Sequence, residues 1–482
     1  MKTNSTSRRS FIKKSTLTAL GISIIPRHVM GRGFIPPSDK LNIAIIGAGG
    51  KGYSDAINVF NKGASNIAAI CDVDWNSAKR AFSFFPNAKK FKDYRILLDE
   101  IKDIDAITVS TPDHTHAVIT LAAMQLNKHV YVQKPLTHNI YEARVLTEAA
   151  NRYQIVTQMG NQGPSGNGVK TMAEWFDSGM IGTVNQVHVW TNRPVWPQGI
   201  KTPTDKPALL DGLDWDTWIG PAEYVDYHPL YHPFKWRGWW NFGTGALGDM
   251  GCHLMDPPYR VLGLGYPLEV ESSVGSIFTQ DWTPDYYPES CPPSSRTQLK
   301  FAASEKNPSE VKLNWTDGGL RPFHPELIPA DHPIGDENSA NGVMMIGEKG
   351  IMTCGTYGRN VKVYLNTGEL ITPQNSDEDE SAISLPENGH HSHWLEACKA
   401  GYGSEKHKTL TSSFDFAGPL TESILMGNLA IRSYNYRERT GNGFEYPGRK
   451  KLLWDGTHMK ITNFEPANQF VKRTYRAGWK LD

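Results

Sequence analysis

Short apolar runs alternate with amphipathic segments through the first third of the chain. The apolar runs are rich in β-branched residues, as buried strands are, and they occupy residues 41–46, 66–71, 105–110, 129–132 and 155–159. The segments between them have the pattern of helices, at residues 53–62, 76–85, 117–126 and 140–152. Repeated strand–helix units of this kind predict a parallel, doubly wound α/β sheet over residues 38–160.

This rhythm is lost near residue 163. The later strands are predicted to form an antiparallel sheet, and they lie at residues 185–191, 268–278, 297–301, 310–315, 343–347 and 350–353. A long helix is predicted over residues 413–437, and the acidic run at 377–380 is predicted to be a solvated loop. We therefore expect a second domain over residues 161–482.

The composition is that of a globular protein with two or three domains. The 482 residues carry 50 Lys and Arg against 50 Asp and Glu, and 39% are hydrophobic. A net charge of zero gives no reason to expect a nucleic-acid-binding protein, and no stretch approaches the roughly 20 apolar residues that span a bilayer. The five cysteines are scattered without a C-x-x-C pair, which argues against a structural zinc ribbon.

The N-terminus has the pattern of a twin-arginine export signal. Arg8 and Arg9 stand in S-R-R-x-F-I-K, and a nine-residue apolar run follows at 17–25. We expect residues 1–34 to direct the folded protein through the twin-arginine export machinery to the periplasm. These residues hold seven basic side chains and no acid, so the rest of the chain has 43 basic and 50 acidic residues and a net charge of −7. That charge argues against binding to nucleic acid or anionic membranes.

A glycine-rich motif follows the first predicted strand directly. Gly47, Gly49 and Gly52 form G-x-G-x-x-G, whose glycines allow a tight turn and a close approach of the backbone to a pyrophosphate. The second predicted strand ends in Asp72, which would bond the adenosine ribose and repel a 2′-phosphate. The pattern therefore predicts NAD as cofactor in preference to NADP, although Asp74 is close enough to take the same role.

Other polar residues also stand where predicted strands end, which is the edge where such sheets bind ligands. They are Thr111, His116, Lys134 and Asn161. Pro135 permits a cis peptide bond that would turn Lys134 into the cleft. No carboxylate or third histidine is organised with the pair His114 and His116, so no metal site is predicted.

Four motifs together resemble those of the Gfo/Idh/MocA oxidoreductases, the family of glucose–fructose oxidoreductase and inositol dehydrogenase. The motifs are GAGGKG, CDVD, TPDHTHA and QKP, and the resemblance covers most of the chain from about residue 40. It implies an NAD-binding Rossmann domain, a second α/β domain with an open, mostly antiparallel sheet, and a homo-oligomer, either dimer or tetramer. The implied cofactor contacts beyond the glycines and Asp72 are Thr111, Pro112, His116, Gln133, Lys134 and Asn161. The usual third motif is EKP, so here Gln133 replaces a glutamate, and its amide can still hydrogen-bond.

The resemblance also implies a catalytic D-x-x-x-H pair, which matches Asp249 and His253. On a helix this spacing puts both side chains on one face. His253 would be the general base, since an unperturbed histidine has a pKa of about 6.5. Asp249 would orient the substrate or hold the histidine's tautomer. Lys134 would donate a hydrogen bond to the carbinol oxygen and stabilise developing negative charge.

Tryptophan is concentrated in one part of the predicted second domain. Eight of the 14 lie between residues 175 and 240, and core packing accounts for most of them. Trp196, Trp239 and Trp240 are candidates to stack on a sugar ring. The resemblance points to His393 as a further contact, and a metal-binding tract or solvated histidines at 390–393 are the alternatives. The predicted substrate contacts are Lys134, Arg193, Trp196, Asp249, His253 and His393.

The expected function is oxidation of a secondary hydroxyl of a sugar or glycoside, with C3 as one candidate position, by an exported NAD-dependent enzyme. Export implies a tightly bound cofactor that is recycled in place, because soluble NAD has no obvious supply outside the cytoplasm. Two alternatives stay open. One is an NAD-dependent, redox-neutral glycosidase that works by oxidation, elimination and reduction. The other is a non-catalytic sugar- or nucleotide-binding protein, because fold alone does not establish catalysis.

Overall fold

The computed structural model describes residues 40–373, 389–441 and 443–481. The predicted export signal at 1–34 and the acidic run at 377–380 lie outside these residues. In the described ranges, none of the helices is both long and apolar enough to cross a membrane. All five cysteines are buried as free thiols.

The first sheet is a six-stranded parallel sheet in the order β3-β2-β1-β4-β5-β6. Its strands are β1 (Asn42–Ile46), β2 (Asn66–Cys71), β3 (Lys89–Phe91), β4 (Ala106–Val109), β5 (His129–Val132) and β6 (Thr157–Met159). The connecting helices are α1 (Lys51–Phe60), α2 (Trp75–Phe84), α3 (Tyr94–Glu100), α4 (Asp113–Gln125) and α5 (Ile140–Arg152). This order puts the carboxyl ends of all six strands along one edge, which confirms the predicted doubly wound sheet.

The second sheet has ten strands in the order β14-β13-β12-β11-β7-β10-β9-β8-β17-β18. Its strands are β7 (Val184–Trp190), β8 (Pro267–Val274), β9 (Ser295–Phe301), β10 (Val311–Thr316), β11 (Gly342–Gly347), β12 (Gly350–Cys354), β13 (Lys362–Leu365), β14 (Leu370–Ile371), β17 (Leu452–Asp455) and β18 (Lys460–Ile461). Its pairs are antiparallel except β7 with β10. A separate hairpin joins β15 (Glu438–Thr440) and β16 (Gly443–Glu445). The predicted α/β class with a mostly antiparallel second sheet is therefore confirmed.

The second part of the chain has seven α-helices in its described residues, and some of them carry candidate chemistry. They are α6 (Asn167–Asp177), α7 (Trp215–Ile219), α8 (Gly245–Leu254), α9 (Asp256–Val261), α10 (Gly389–Ala400), α11 (Glu405–Lys408) and α12 (Phe414–Tyr434). Helix α12 is almost wholly buried and shares one continuous apolar core with α5, α8 and strands β8 and β9. Helix α9 begins directly after α8, with Pro257 and Pro258 in its first turn, where a missing amide proton costs least.

A helix from late in the chain completes the first domain. Trp394 and Leu395 of α10 are buried against Ile43, Ile45 and Tyr131, on the face of the first sheet that α1 and α2 also cover. Residues 38–160 therefore do not form this layer alone. The predicted division at residue 160 omits α10, because a linear boundary cannot show a segment that returns to an earlier sheet.

Candidate active site

The glycine turn after β1 has the close contacts that its motif requires. Gly47 has a φ of +79°, and a Cβ there would lie 2.8 Å from the carbonyl oxygen of Ser110. A Cβ on Gly52 would collide with the carbonyl oxygen of Gly47, and one on Gly49 would lie 2.9 Å from Cβ of Ser77. The turn therefore admits only glycine at these positions, and it leads directly into the N-terminus of α1.

Two acids follow β2, and they have different environments. The Asp72 carboxylate accepts hydrogen bonds from the amides of Ala48 (2.7 Å), Gly49 (3.1 Å) and Asp74 (2.8 Å). Burial raises the pKa of Asp72 to about 6. The Asp74 carboxylate instead caps α2, where it accepts from the amide of Asn76 and from the hydroxyl of Ser77. Asp72 is thus the acid placed to bond a ribose, and that role stays a prediction.

A cavity of about 780 Å³ runs from this turn to helix α8. Its lining brings together most of the predicted site: Gly47, Gly49, Asp72, Thr111, Pro112, Gln133, Lys134, Arg193, Asp249 and His253. The first sheet supplies the strand-end residues, and the second domain supplies Arg193, Asp249 and His253. The three predicted catalytic residues and seven of the ten predicted cofactor residues therefore share one pocket.

Lys134 and Asp249 form the centre of that pocket. The Lys134–Pro135 peptide bond is cis, as the sequence allows. Lys134 Nζ donates to Asp249 Oδ1 at 2.8 Å and to the Asp249 carbonyl oxygen at 2.6 Å. Burial alone would raise the pKa of Asp249, but the charges of Lys134 and Arg237 outweigh it and hold the pKa below its ordinary value. Asp249 is therefore a carboxylate at neutral pH.

His253 lies one helical turn after Asp249, and its side chain makes no hydrogen bond to the described residues; its buried Nδ1 has no partner among them. Its ring meets the Tyr357 ring edge-on, with centroids 4.6 Å apart. Burial, and next the charge of Lys134, hold the pKa of His253 well below its ordinary value, so the imidazole is neutral. Because Asp249 bonds Lys134, the structure favours an orienting role for Asp249 over control of the histidine tautomer.

Gln133 belongs to a buried polar network under the glycine turn. Its Nε2 donates to Asp55 Oδ2 at 2.8 Å, and the Ser110 hydroxyl donates to the same oxygen at 2.8 Å. Lys51 Nζ lies 2.7 Å and His391 Nε2 lies 3.1 Å from Asp55 Oδ1. Burial would raise the pKa of Asp55, but the hydrogen bond with His391 and the charge of Lys51 lower it to about 2. The amide at position 133 therefore faces a fixed carboxylate.

Three predicted cofactor contacts, Gly52, His116 and Asn161, do not line the pocket. Both ring nitrogens of His116 lie 2.8 Å from backbone carbonyl oxygens, those of Pro135 and Thr111, so this residue braces two strand ends. Asn161 is fully buried and donates to Asp256 Oδ2 at 2.7 Å. Both ring nitrogens of His116 and Nδ2 of Asn161 are used inside the protein, whereas Asn161 Oδ1 is buried without a partner among the described residues. The cofactor contacts of these two residues stay predictions.

Two predicted substrate contacts also lie elsewhere. Trp196 is buried, and its indole donates to Gln198 Oε1 at 2.8 Å. His393 is exposed on α10, away from the pocket. Trp239 and Trp240 line a separate cavity of about 940 Å³. None of these four residues lines the pocket with Lys134 and His253, and their contacts with a substrate stay predictions.

Other residues enter the pocket that the sequence did not single out. Among them are Lys51, Trp236, Arg237 and Tyr357. Tyr357 has a φ of +66°, which is rare for a bulky residue and marks a conformation imposed by its surroundings. Lys51 lies within the glycine motif, and its charge was the signal that could have identified it.

No three potential metal ligands lie together in the ranges that the structure describes. His114, the other half of the histidine pair, is buried with Nε2 at 2.8 Å from the Trp218 carbonyl oxygen. This pair thus contacts backbone carbonyls.

Two family models match the chain. Residues 41–161 match the model described as "Oxidoreductase family, NAD-binding Rossmann fold", GFO_IDH_MocA, and residues 166–277 match the model of the C-terminal alpha/beta domain of the same family. All of the residues that line the pocket fall within these two ranges except Gln162, Tyr357 and Trp479.

Curated relatives match over part of their length. An inositol 2-dehydrogenase/D-chiro-inositol 3-dehydrogenase from Lacticaseibacillus casei is 29% identical over 197 residues, covering 40% of this chain and 56% of the relative. A glycosyl hydrolase family 109 protein from Shewanella sp. (strain MR-4) is 27% identical over 172 residues, covering 30% of this chain and 37% of the relative. The chain thus aligns with about half or less of the length of these two relatives.

Solved structures show the fold. An inositol dehydrogenase homologue from Azotobacter vinelandii, complexed with NADH and myo-inositol, has a TM-score of 0.54 at 14% identity, covering 81% of this chain and 95% of that one. At this identity the likeness establishes architecture alone.

Proposed function

We propose that the chain is a member of the Gfo/Idh/MocA oxidoreductase family and an NAD-dependent enzyme that oxidises a secondary hydroxyl of a sugar or glycoside. The observation that carries the proposal is one pocket with a glycine turn at one end and the Lys134–Asp249 pair beside a neutral His253 at the other. Named relatives that act on inositol support a polyol or sugar as the substrate class.

The residues at the glycine turn fit a dinucleotide. Gly47 and Gly52 leave no room for a Cβ, and α1 presents its N-terminus at the turn, where an anion is favoured. Asp72 would bond the ribose hydroxyls, and its charge disfavours a 2′-phosphate. When bound, NAD supplies the acceptor for the hydride that leaves the substrate carbon.

Residues of this chain can accept the proton of the substrate hydroxyl and stabilise the negative charge that develops on its oxygen. His253 is neutral and makes no hydrogen bond to the described residues, so its imidazole can accept the hydroxyl proton. Lys134 is held in place by two hydrogen bonds to Asp249, and it can donate a third to the substrate oxygen as negative charge develops there. Asp249 would fix the ammonium group and so the position of the reacting oxygen.

The test compares variants of both residues with matched controls. Lys134→Ala and His253→Ala are each expected to lose most of the reduction of bound nicotinamide, read by its absorbance while a panel of methyl glycosides is added. Lys170→Ala and His458→Ala remove the same side-chain types at exposed positions that do not line the pocket, and they should keep wild-type rates. Full activity in Lys134→Ala and in His253→Ala, with cofactor bound, would contradict the assignment.

A second candidate function is the redox-neutral glycosidase. The similarity to the glycosyl hydrolase family 109 protein from Shewanella supports this candidate. Aryl glycosides separate the two reactions. Reduced nicotinamide without release of the phenol indicates a dehydrogenase, whereas release without net reduction indicates a glycosidase. No response in either measurement would favour the non-catalytic binding protein.

The proposal also includes export with a retained cofactor and assembly into a homo-oligomer. The basis for export is the S-R-R-x-F-I-K pattern, which lies outside the described residues, and the basis for the oligomer is the family resemblance. Replacing Arg8 and Arg9 by lysine should hold the protein in the cytoplasm in a cell fractionation experiment. The purified periplasmic protein should release NAD on denaturation, and light scattering should give the mass of a dimer or tetramer.

A further inference from the structure

Three cationic side chains surround one carboxylate at the substrate end of the pocket. Lys134 Nζ lies 2.8 Å from Asp249 Oδ1, Arg237 Nε lies 3.5 Å from the same oxygen, and Arg193 Nε lies 3.9 Å from Asp249 Oδ2. All four side chains line the cavity. The arrangement therefore has more positive than negative charge.

The two arginines do not donate hydrogen bonds to the Asp249 carboxylate. Of the three cations, only Lys134 hydrogen-bonds the carboxylate. Arg193 Nη1 donates to Asn192 Oδ1 at 2.7 Å, and Arg237 Nη1 donates weakly to the Phe234 carbonyl oxygen at 3.4 Å. Each guanidinium has five N–H groups, so in the described part of the chain most of them have no protein acceptor.

The other acid nearby does not remove this excess. Asp113 also lines the cavity, but its Oδ2 accepts a hydrogen bond from the Thr244 hydroxyl at 2.6 Å. Burial raises the pKa of Asp113, which weakens it as a counter-charge. Asp72 and Asp74 are occupied by backbone amides and a helix cap at the glycine turn. At least one positive charge therefore has no counterpart in this part of the pocket.

The two arginines are held in place. The Arg237 guanidinium lies 4.1 Å from the Trp236 ring centroid and 5.0 Å from that of Phe234. A Cβ on Gly243 would lie 2.5 Å from Cα of Arg237, so a glycine there lets this backbone pack closely. Arg193 lies three residues after the end of β7, and its carbonyl oxygen accepts from the Gly318 amide at 2.6 Å. Fixed guanidinium groups bind planar anions with little loss of entropy.

We propose that Arg193 and Arg237 bind a carboxylate on the substrate, so that the substrate class is a sugar acid, such as a uronic acid or its glycoside. The proposal rests on the proposed function and narrows its substrate. A paired arginine fork matches the two oxygens of a carboxylate, and an anion at this position supplies the counter-charge that the protein lacks. The hydroxyl groups of a neutral sugar could accept hydrogen bonds from the two guanidinium groups, but a neutral sugar would supply no counter-charge.

The experiment measures binding and turnover separately on the NAD-loaded protein. Methyl β-D-glucuronide and methyl β-D-glucoside differ only in a carboxylate against a hydroxymethyl group. In titration calorimetry the glucuronide is expected to bind roughly tenfold more tightly or better, the effect of one charge-assisted contact. Added salt should reduce this ratio. Equal or tighter binding of the glucoside, or of glucose 6-phosphate, would overturn the proposal.

Variants identify the residues responsible. Arg193→Gln and Arg237→Gln should each lower the glucuronide-to-glucoside affinity ratio at least about fivefold, while Arg439→Gln, at an exposed position on β15, should leave it unchanged. Arg193→Lys and Arg237→Lys keep the charge and serve if a glutamine variant fails to fold; they should keep part of the ratio. A ratio that none of the four variants changes would overturn the assignment.

Measuring the reduction of nicotinamide as well as binding shows whether a failed result concerns the acidic substrate or the dehydrogenase activity. If the glucoside reduces the nicotinamide as well as the glucuronide does, and binds as tightly, the dehydrogenase stands and the acidic substrate fails. If the glucuronide binds with the predicted preference but nothing reduces the nicotinamide, the anion site stands and the dehydrogenase fails.

Discussion

Replacing Gln133 by glutamate would put a second carboxyl group against Asp55, and this variant is a sharp test of the buried network. The Gln133 amide nitrogen lies 2.8 Å from Asp55 Oδ2, and Asp55 is fully buried. Two ionised carboxylates at that distance would repel by about 6 kcal/mol with an effective dielectric constant of about 20. A cheaper state is available, because the new carboxyl group, when protonated, can donate its O–H to Asp55 as the amide does.

That protonation sets the expected magnitude. A glutamate has an ordinary pKa of about 4.3, so keeping it protonated at about pH 7 costs about 4 kcal/mol. Protonation costs less than the repulsion, so we expect Gln133→Glu to lower the free energy of unfolding by about 4 kcal/mol at neutral pH. This loss of stability should become smaller by about 1.4 kcal/mol for each pH unit of acidification. The reason is that the folded variant binds one proton more than the unfolded chain, and a lower pH favours the state with more bound protons.

Urea unfolding at a series of pH values measures this dependence. Gln133→Met removes the hydrogen bond without adding a charge, so its destabilisation should not change with pH over the same range. Adding Asp55→Asn to Gln133→Glu should restore much of the stability, since an asparagine amide can donate to the new carboxylate. A destabilisation by Gln133→Glu that is independent of pH, or no recovery in the double variant, would refute the reasoning.

Three further outcomes are expected. Asp55 has a pKa of about 2 in the folded protein, against 3.8 for an exposed aspartate. This difference contributes about 2.5 kcal/mol of stability at pH values above 3.8, and the contribution is lost as the pH falls through about 2. Asp55→Asn should therefore flatten the acid limb of the unfolding curve. Asp72→Ala should weaken NAD roughly tenfold and NADP less, and equal losses in the two dissociation constants would contradict the ribose contact. Gly52→Ala should destabilise the protein by about 2 kcal/mol and abolish NAD retention, whereas Gly265→Ala, in open space, should do neither in the same melting and release assays.

Most of the strand framework could be predicted from the sequence, because buried strands need continuous apolar runs. Strands β2 and β5 have the predicted bounds, and the six strands predicted in the second domain all occur. Strand β3 (Lys89–Phe91) and helix α3 after it were not predicted. Two of the three β3 residues are exposed lysines at the sheet edge, so no apolar run marks the strand.

The site was predictable where topology alone brings residues together. Parallel strands end at one edge, so Asp72, Thr111 and Lys134 had to be neighbours. The network around Asp55 depends on α10 returning from the far end of the chain, which no local pattern shows. One signal was available: Asp55 shares the buried face of α1 with Ala56 and Val59, and an acid on an apolar face needs partners.

The net charge of the chain was a poor guide to its site. Outside residues 1–34 the chain carries −7, a value compatible with an uncharged sugar. The pocket has the opposite sign at its substrate end, because Lys134, Arg193 and Arg237 all lie within 4 Å of one carboxylate there. Surface charges are screened over about 10 Å at ordinary salt, so an acidic surface does not cancel cations held inside a cavity. For binding, the local arrangement of charges therefore matters more than their sum.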